Sequence, residues 1–237
     1  MHRKSYLHLF WPVYLITTLC FIAAAIGMNR AATTFGENTP ISRETTIVID
    51  AGHGGEDGGA ISCTGVLESS INLEIAIRLN ELLKLLGYKT IMIRTTDISV
   101  YTEGKTIAQK KISDLKQRVS IVGSYHNPLL ISIHQNTFVD PRYNGAQVFY
   151  ASGKGSKALA DNLQTALISA CNHDSNRKAK EAEGVYLMQH ITCPGILVEC
   201  GFLSNAEEEA RLRSDLYQKQ LCCVIAATTG NYLSAMA

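Results

Sequence analysis

The sequence predicts a single α/β domain of three layers, with a mostly parallel central sheet and helices on both of its faces. Short runs rich in Ile and Val alternate along the chain with longer segments of helical apolar spacing, a pattern typical of parallel strands joined by helices. No internal repeat and no second domain boundary is visible in the sequence. A chain of 237 residues with 46% hydrophobic side chains is long and apolar enough to bury one substantial core.

The first half of the domain is predicted to alternate three strands with two helices. The strands correspond to residues 46–49, 90–93 and 129–133. Residues 67–86 show helical apolar spacing and precede Gly87, a residue type that often follows a helix C-terminus. A second helix is predicted over residues 106–125. Its expected inner face consists of Ile107, Ile112, Leu115, Val119 and Val122.

The second half is predicted to contain two further strands and two further helices. The strands correspond to residues 146–150 and 196–198, and the latter is short and entirely apolar. The helices correspond to residues 156–171 and 216–233. Residues 45–237 together form the predicted folded domain.

Residues 1–28 are predicted to direct the rest of the chain out of the cytoplasm. A short basic flank precedes residues 5–28, which contain no Asp, Glu, Lys or Arg and can cross the ~30 Å hydrocarbon layer as a helix. Three alanines at residues 23–25 favour a cleaved signal peptide, whereas the length of the run favours a membrane anchor, and both interpretations stay open. A third alternative is a buried helix of a cytosolic protein. Polar residues 29–44 are interpreted as a linker.

Charge and cysteine content exclude two classes of protein. Without residues 1–44 the chain carries 18 basic and 19 acidic residues, a net charge of −1, so no electrostatic attraction to nucleic acid is expected. The seven cysteines are scattered and form no Cys-x-x-Cys pair. A domain of this size does not need a disulfide framework, and the sequence does not determine whether any cysteines pair.

Four side chains that can bind a metal are predicted to meet at one edge of the sheet. His53 follows the first strand, His134 follows the third, and Glu199 follows the last. The carboxyl ends of parallel strands share one edge, where ligands bind in open α/β sheets. Glu68 opens the helix after the first strand and belongs near the same edge. Two imidazoles and a carboxylate are a common catalytic zinc set, and the other carboxylate would then carry the proton.

Each of these residues taken alone also has a structural interpretation. A single histidine at a strand end is most often only hydrogen-bonded, and Glu68 could simply favour the helix dipole. Glu199 is harder to explain in this way, because a carboxylate directly after an apolar strand is costly without a partner. Cys200 is not favoured as a nucleophile, since no Cys-His arrangement is visible. The sequence contains no Gly-x-Ser-x-Gly, His-Glu-x-x-His, Walker or Gly-x-Gly-x-x-Gly motif.

Five ordered segments resemble the zinc-dependent N-acetylmuramoyl-L-alanine amidases of bacterial cell walls. They read TIVIDAGHGGEDGG at 46–59, ESSINLEIA at 68–76, IRTTD at 93–97, SIHQN at 132–136 and VECGFLSN at 198–205. The resemblance spans nearly all of residues 45–233. It implies one Zn²⁺ per chain held by His53, Glu68 and His134, with Glu199 as the catalytic residue. It also implies hydrolysis of the amide bond between muramic acid and L-Ala of peptidoglycan stem peptides.

Residues 101–118 and 177–189 look like the germination-specific members of this family in endospore formers. This finer resemblance implies a role in forming muramic δ-lactam of the spore cortex. It further implies an extracytoplasmic location, in a sporulating cell between the forespore membranes, with a spore-envelope protein as a candidate activator. The alternative within the family is a vegetative cell-wall autolysin. Cys200 departs from related sequences, which often carry a small or aliphatic residue there.

Several roles and two other functional classes remain open at this stage. Asn136 and Arg94 are candidates for substrate positioning, or they tie loops together. Asp50 or Asp57 is expected to accept a hydrogen bond from His53, as ligating histidines usually have such a partner. Outside the amidases, the alternatives are a zinc exopeptidase on a similar fold, which would often hold two metal ions, and a non-catalytic wall-binding module.

Overall fold

The structure, a computed structural model, describes residues 44–236, which lie within one compact unit. The signal peptide or anchor predicted at 1–28, and all but the last residue of the 29–44 linker, lie outside the described residues. The described part contains a six-stranded sheet in the order β2-β1-β3-β6-β4-β5. The strands are β1 (Thr46–Ala51), β2 (Lys89–Met92), β3 (Pro128–Asn136), β4 (Gln147–Tyr150), β5 (Lys180–Glu181) and β6 (Gly195–Phe202).

Strand direction confirms the predicted mostly parallel sheet. Strands β2, β1, β3 and β6 run parallel to one another, and β4 pairs with β6 in the antiparallel direction. Strands β1, β3 and β6 therefore end at one common edge. Strands β1 and β3 lie in the interior of the sheet and are covered on both faces, which explains their long runs of buried residues.

Six helices of the described part cover both faces of the sheet and confirm the three-layer prediction. They are α1 (Glu68–Leu85), α2 (Ile107–Gly123), α3 (Ser156–Cys171), α4 (Tyr186–His190), α5 (Ala206–Leu212) and α6 (Asp215–Met236). Helices α1, α3 and α6 pack on one face, where Ile47, Ile49 and Ile131 contribute to the core. Helices α2 and α4 cover the other face, where Val48, Leu130 and Leu197 contribute to the core. Neighbouring residues of a strand point to opposite faces of the sheet.

Strands β3 and β6 extend beyond their predicted ends. His134 and Glu199 were expected just after these strands, but both lie within them and are direct neighbours in the β3–β6 register. The strands continue because the backbone still finds partners there: β6 remains paired with both β3 and β4 at Glu199. In both strands the apolar residues end before the backbone hydrogen bonds do. A prediction based on the apolar residues therefore made each strand too short.

The predicted inner face of α2 is partly wrong. Ile107 and Ile112 are 71% and 54% exposed, whereas Ser113, Arg118 and Val122 are the buried residues of this helix. The buried polar side chains find partners inside the protein. The Ser113 hydroxyl accepts hydrogen bonds from two backbone N–H groups, and Arg118 pairs with Asp50 of β1.

Strand β5 and helices α4 and α5 were not predicted, because they are too short to show a periodic pattern. The six cysteines of the described part are unpaired. Among residues 44–236, no helix has the length and apolar character needed to span a membrane.

Candidate metal centre

Three of the four predicted side chains converge at the common edge of β1, β3 and β6. His53 lies two residues after β1, Glu68 is the first residue of α1, and His134 lies near the end of β3. One potential ligand atom from each lies within 4.8 Å of the other two. The rings of His53 and His134 meet edge to face, with centroids 5.0 Å apart. The sheet thus brings together residues separated by up to 81 positions.

Glu68 lies between the two histidines and contacts both. Its Oε2 atom lies 3.3 Å from Nε2 of His53, and its Oε1 atom lies 3.0 Å from Nδ1 of His134. Backbone N–H groups of Ala60 and Gln135 also donate to this carboxylate. Burial alone would raise the pKa of Glu68, but the hydrogen bonds with His134 and His53 outweigh it and lower the pKa far below its ordinary value. Glu68 is therefore a carboxylate at neutral pH.

The orientation of His53 is set by Asp57 and by an unusual backbone conformation. Nδ1 of His53 lies 3.0 Å from Oδ2 of Asp57, which leaves Nε2 directed towards Glu68. Asp57 is thus the carboxylate partner of His53, while the other candidate, Asp50, binds Arg118 and Ser132 instead. His53 has φ +60°, a left-handed conformation that costs a non-glycine residue about 1 kcal/mol.

Glycine leaves the space in which the ligands meet. A Cβ atom at Gly59 would lie 2.6 Å from Oε2 of Glu68 and 2.7 Å from the His53 ring, and Gly59 itself has φ +70°. A Cβ atom at Gly52 would collide with the ring of His134. The glycines of this segment therefore allow both imidazoles to approach the same point.

Glu199 lies beside this cluster with a carboxylate that is only partly satisfied. Its neighbour across the β3–β6 ladder is His134, so the two side chains project from the same face of the sheet. The Oε2 atom is inaccessible and has no hydrogen-bond partner within the described part of the chain. Burial is the main cause that raises the pKa of Glu199 to about 7, with the nearby negative charge of Glu68 adding to it and the histidines opposing it.

These residues fit a catalytic zinc ion on the chemistry of their donor atoms. Two imidazoles and one carboxylate form a common protein set for catalytic zinc, which keeps a fourth position for water or substrate. The unpartnered Oε2 atom of Glu199 provides a proton acceptor beside that set. Asp57, Asn72 and Gln135 supply further hydrogen bonds of the kind that orient metal ligands.

The surroundings of Arg94 do not favour the substrate contact that was one of its two predicted roles. Its side chain is 0% exposed, and its guanidinium donates to the backbone carbonyls of Ala51, Gly52 and Ser69. A buried group whose donors are used in this way cannot meet substrate directly. The structure favours the alternative role, in which Arg94 ties loops together. Asn136 remains near the site at the end of β3, where its Oδ1 accepts from the backbone of Thr137.

A groove leads away from Glu199 on the face of the sheet opposite α1. It is lined by apolar side chains of β4, β6 and the segment before α4, and by charged residues. The lining residues are Phe149, Lys180, Glu181, Glu183, Val185, Leu197 and Glu199. The groove is open to solvent, and Glu199 is one of the residues that line it.

Sequence reasoning did not identify Arg118, the buried partner of Asp50. Arg118 lies three residues after Leu115 and four before Val122, a spacing that places all three on one face of α2. That spacing was the available indication that this arginine is buried.

The fold and this residue set define a class of protein: a three-layer α/β domain with a candidate centre for one metal ion and an adjacent carboxylate. Residues 47–229 match the family described as N-acetylmuramoyl-L-alanine amidase. Because this match covers most of the chain, the protein belongs to the N-acetylmuramoyl-L-alanine amidase family, whose members hydrolyse the bond between muramic acid and L-Ala.

Similar proteins include members of this family from several bacteria. The germination-specific N-acetylmuramoyl-L-alanine amidase of Bacillus subtilis is 38% identical over 185 residues, which are 76% of each chain. The CwlD amidase from Clostridioides difficile, solved in complex with the GerS lipoprotein, is 38% identical with a TM-score of 0.76, over 80% of this chain and 98% of that chain. The amidase AmiC2 of Nostoc punctiforme is 29% identical with a TM-score of 0.68, over 80% and 97% of the two chains.

Proposed function

We propose that this protein is a zinc-dependent amidase that cleaves the bond between muramic acid and L-Ala during formation of spore-cortex muramic δ-lactam. The observation that carries this proposal is the convergence of His53, Glu68 and His134 next to the partly unsatisfied carboxylate of Glu199. The similarity of this chain to the germination-specific amidase of Bacillus subtilis supports the cortex role.

One zinc ion per chain would be held by Nε2 of His53, by a ring nitrogen of His134 and by an oxygen of Glu68. A zinc ion bound there would supply Lewis acidity, which would polarise the carbonyl of the scissile amide and acidify the attacking water. Glu68 is ionised and Asp57 fixes the orientation of the His53 ring, so the carboxylate ligand is deprotonated and the His53 ring is held in place by a carboxylate partner.

Glu199 is proposed to move the proton. Its carboxylate accepts the proton of the attacking water and then donates it to the nitrogen of the departing L-Ala. Burial raises the pKa of Glu199 to about 7, and a group with a pKa near the working pH both accepts and releases a proton readily. No covalent intermediate is needed in this scheme.

The departing stem peptide is proposed to lie in the groove that starts at Glu199. The leaving nitrogen has to be within reach of the Glu199 carboxylate, and the groove is lined by that same carboxylate and by Phe149, Val185 and Leu197. The glycan strand would then lie on the other side of the ligand cluster, where Asn136 remains a candidate contact.

The wider setting follows from the family and from the N-terminal sequence. We propose that residues 1–28 act as a signal peptide or anchor, that residues 29–44 form a linker, and that residues 45–237 are the catalytic domain outside the cytoplasm. The similar CwlD amidase was solved with the GerS lipoprotein, which supports a spore-envelope protein as a partner here. The substrate is peptidoglycan carrying stem peptides.

Digestion of purified peptidoglycan tests the proposal. Mass spectrometry should detect free stem peptides that begin with L-Ala, and metal analysis should find one zinc per chain. Glu199→Ala should keep its zinc but stop peptide release, whereas His134→Ala should lose zinc. Glu81→Ala, which removes an exposed carboxylate of α1, is the matched control and should retain both properties. Normal peptide release by Glu199→Ala would disprove its role, and two zinc ions per chain would favour an exopeptidase.

A further inference from the structure

Two buried arginines lie directly behind the candidate metal ligands. Arg94 follows β2 and Arg118 belongs to α2, and their side chains are 0% and 3% exposed. Both guanidiniums donate to the carbonyl oxygen of Ala51, so the two cations lie close together, and burial and the positive charge of Arg118 both lower the pKa of Arg94. Such a pair is costly to bury unless each guanidinium is fully engaged.

Arg118 holds the backbone at His53. One of its terminal nitrogens, Nη2, donates to the carbonyl oxygen of His53 over 2.7 Å. The other, Nη1, donates to the carbonyl oxygen of Ala51 over 3.1 Å and to the carboxylate of Asp50. Asp114 accepts from Nε over 2.6 Å. Arg118 thus fixes the residue that carries the left-handed φ of +60°.

Arg94 connects the two segments that supply the first and second ligands. It donates to the carbonyl of Gly52 over 2.9 Å and to that of Ser69 over 2.8 Å. Gly52 precedes His53, and Ser69 follows Glu68. The side chain also donates to the Ala51 carbonyl over 2.8 Å. One planar guanidinium therefore sets the distance between the end of β1 and the start of α1.

The same network reaches the third ligand through Asp50. Its Oδ2 atom accepts a hydrogen bond of 2.7 Å from Ser132, which lies two residues before His134 on the same face of β3. The network of Arg94, Arg118 and Asp50 therefore contacts the backbone of His53, the backbone of the residue after Glu68, and the strand that carries His134. Each guanidinium donates to several backbone carbonyls at once, and the single ammonium group of a lysine could not contact all of them.

We infer that Arg94 and Arg118 are positioning residues that hold His53 and Glu68 in the geometry for binding zinc. This inference rests on the zinc site of the proposed function. The arginines touch neither the metal nor the substrate, and they act through the carbonyls of residues 51, 52, 53 and 69. Loss of the Arg118 fork releases the strained His53 backbone, and loss of the Arg94 fork loosens the link between the end of β1 and the start of α1. Either change weakens zinc binding.

Zinc affinity of Arg118→Lys measures this role without any assay of hydrolysis. The variant keeps the positive charge beside Asp50 but loses the fork. Competition of the full chain with a fluorescent zinc chelator should show a dissociation constant 10- to 100-fold higher than that of the unchanged protein. Circular dichroism at the same temperature establishes that the variant is folded. Asp114→Asn removes a charge that orients Arg118 and is the milder second variant. Its zinc dissociation constant should be at least threefold higher than that of the unchanged protein.

Two control variants separate positioning from a general loss of stability. Arg78→Lys makes the same chemical change at an ion pair with Asp215 of α6. Leu221→Ala opens a cavity in the core beneath α6 and lowers stability far from the ligands. Both should bind zinc within twofold of the unchanged protein. If Arg118→Lys is folded and its zinc dissociation constant also stays within twofold of that of the unchanged protein, the inference is overturned. If only Asp114→Asn is folded, the same result for that variant overturns it. If the unchanged protein itself binds no zinc, the proposed function fails instead.

Discussion

At the scale of single residues, the site depends on the contacts that surround each ligand as much as on the ligands. Asp57 orients His53, two backbone N–H groups and two imidazoles keep Glu68 ionised, and glycines leave the space between them. Two substitutions test these contacts: one changes the packing around the ligands, and the other removes a buried charge.

Gly59→Ala should weaken zinc binding by about tenfold or more. The new methyl group would press against Glu68 and the His53 ring, and disturbed ligand geometry lowers metal affinity. Gly65→Ala is a matched control, because Gly65 also has a positive φ, of +90°, but has open space where the Cβ atom would lie. Both variants carry backbone strain of about 1 kcal/mol. Equal zinc dissociation constants for the two variants, measured by chelator competition, would contradict the packing argument.

Asp50→Asn should cost about 3–5 kcal/mol of unfolding free energy at neutral pH, because it leaves Arg118 buried without its charge partner. Burial opposes ionisation of Asp50, but Arg118 outweighs it and holds the pKa below the ordinary value of 3.8. A carboxyl group with a lowered folded-state pKa stabilises the fold above its unfolded pKa and loses this effect as the pH falls.

The difference in stability between Asp50→Asn and the unchanged protein should therefore shrink below about pH 4. Urea titrations at several pH values measure it. Asp161→Asn, which alters an exposed pair with Lys157, should show a small and nearly constant difference. A difference for Asp50→Asn that is the same at pH 7 and pH 3 would rule out the charge explanation.

At the scale of secondary structure, helices α1 and α2 begin differently. The N-cap of α1 is Leu67, which makes no side-chain cap, and Glu68 in its first turn contacts the histidines. Helix α2 instead begins with a complete capping box between Thr106 and Gln109. We infer that the start of α1 serves the site at some cost in helix stability, whereas the start of α2 serves stability alone.

Thr106→Ala should lower the unfolding free energy by about 1 kcal/mol through loss of this cap. For a domain of this size the melting temperature should fall by roughly 2–4 °C. Ile107→Ala, at the next position, removes a side chain that is 71% exposed and should change stability by less than about 0.5 kcal/mol. Thermal unfolding followed by circular dichroism compares the two. A larger loss for Ile107→Ala would show that the cap is not the stabilising feature.

At the scale of the whole molecule, the candidate site is assembled from segments that the sheet brings together. Strand β1 is central to this unit, because it pairs with both β2 and β3 and supplies the segment that leads into His53. The candidate site therefore needs the complete sheet.

A fragment of residues 44–237 should unfold cooperatively and bind zinc with the affinity of the full chain. A fragment that starts at residue 53 lacks β1 and should not fold, because the central strand of the sheet and its buried Ile47, Val48 and Ile49 are missing. Circular dichroism and chelator competition test both fragments. Zinc affinity lost in the longer fragment would show that residues 1–43 contribute to the site.

The sequence by itself determined the α/β class, the positions of the longer helices and strands, and the residues that meet in the candidate metal centre. It could do so because helical spacing, apolar runs and residues at strand ends are local features, and parallel strands bring their carboxyl ends to one edge. The order of five family segments added the chemistry of that edge.

Only the tertiary structure decided how those residues are held. It placed His134 and Glu199 inside strands, since strand pairing continues beyond the apolar run. It made Asp57 rather than Asp50 the partner of His53, and it buried Arg94 and Arg118 against backbone carbonyls up to 67 positions away. Such contacts depend on how α1 and α2 pack against the sheet, and no short-range pattern in the chain records that packing.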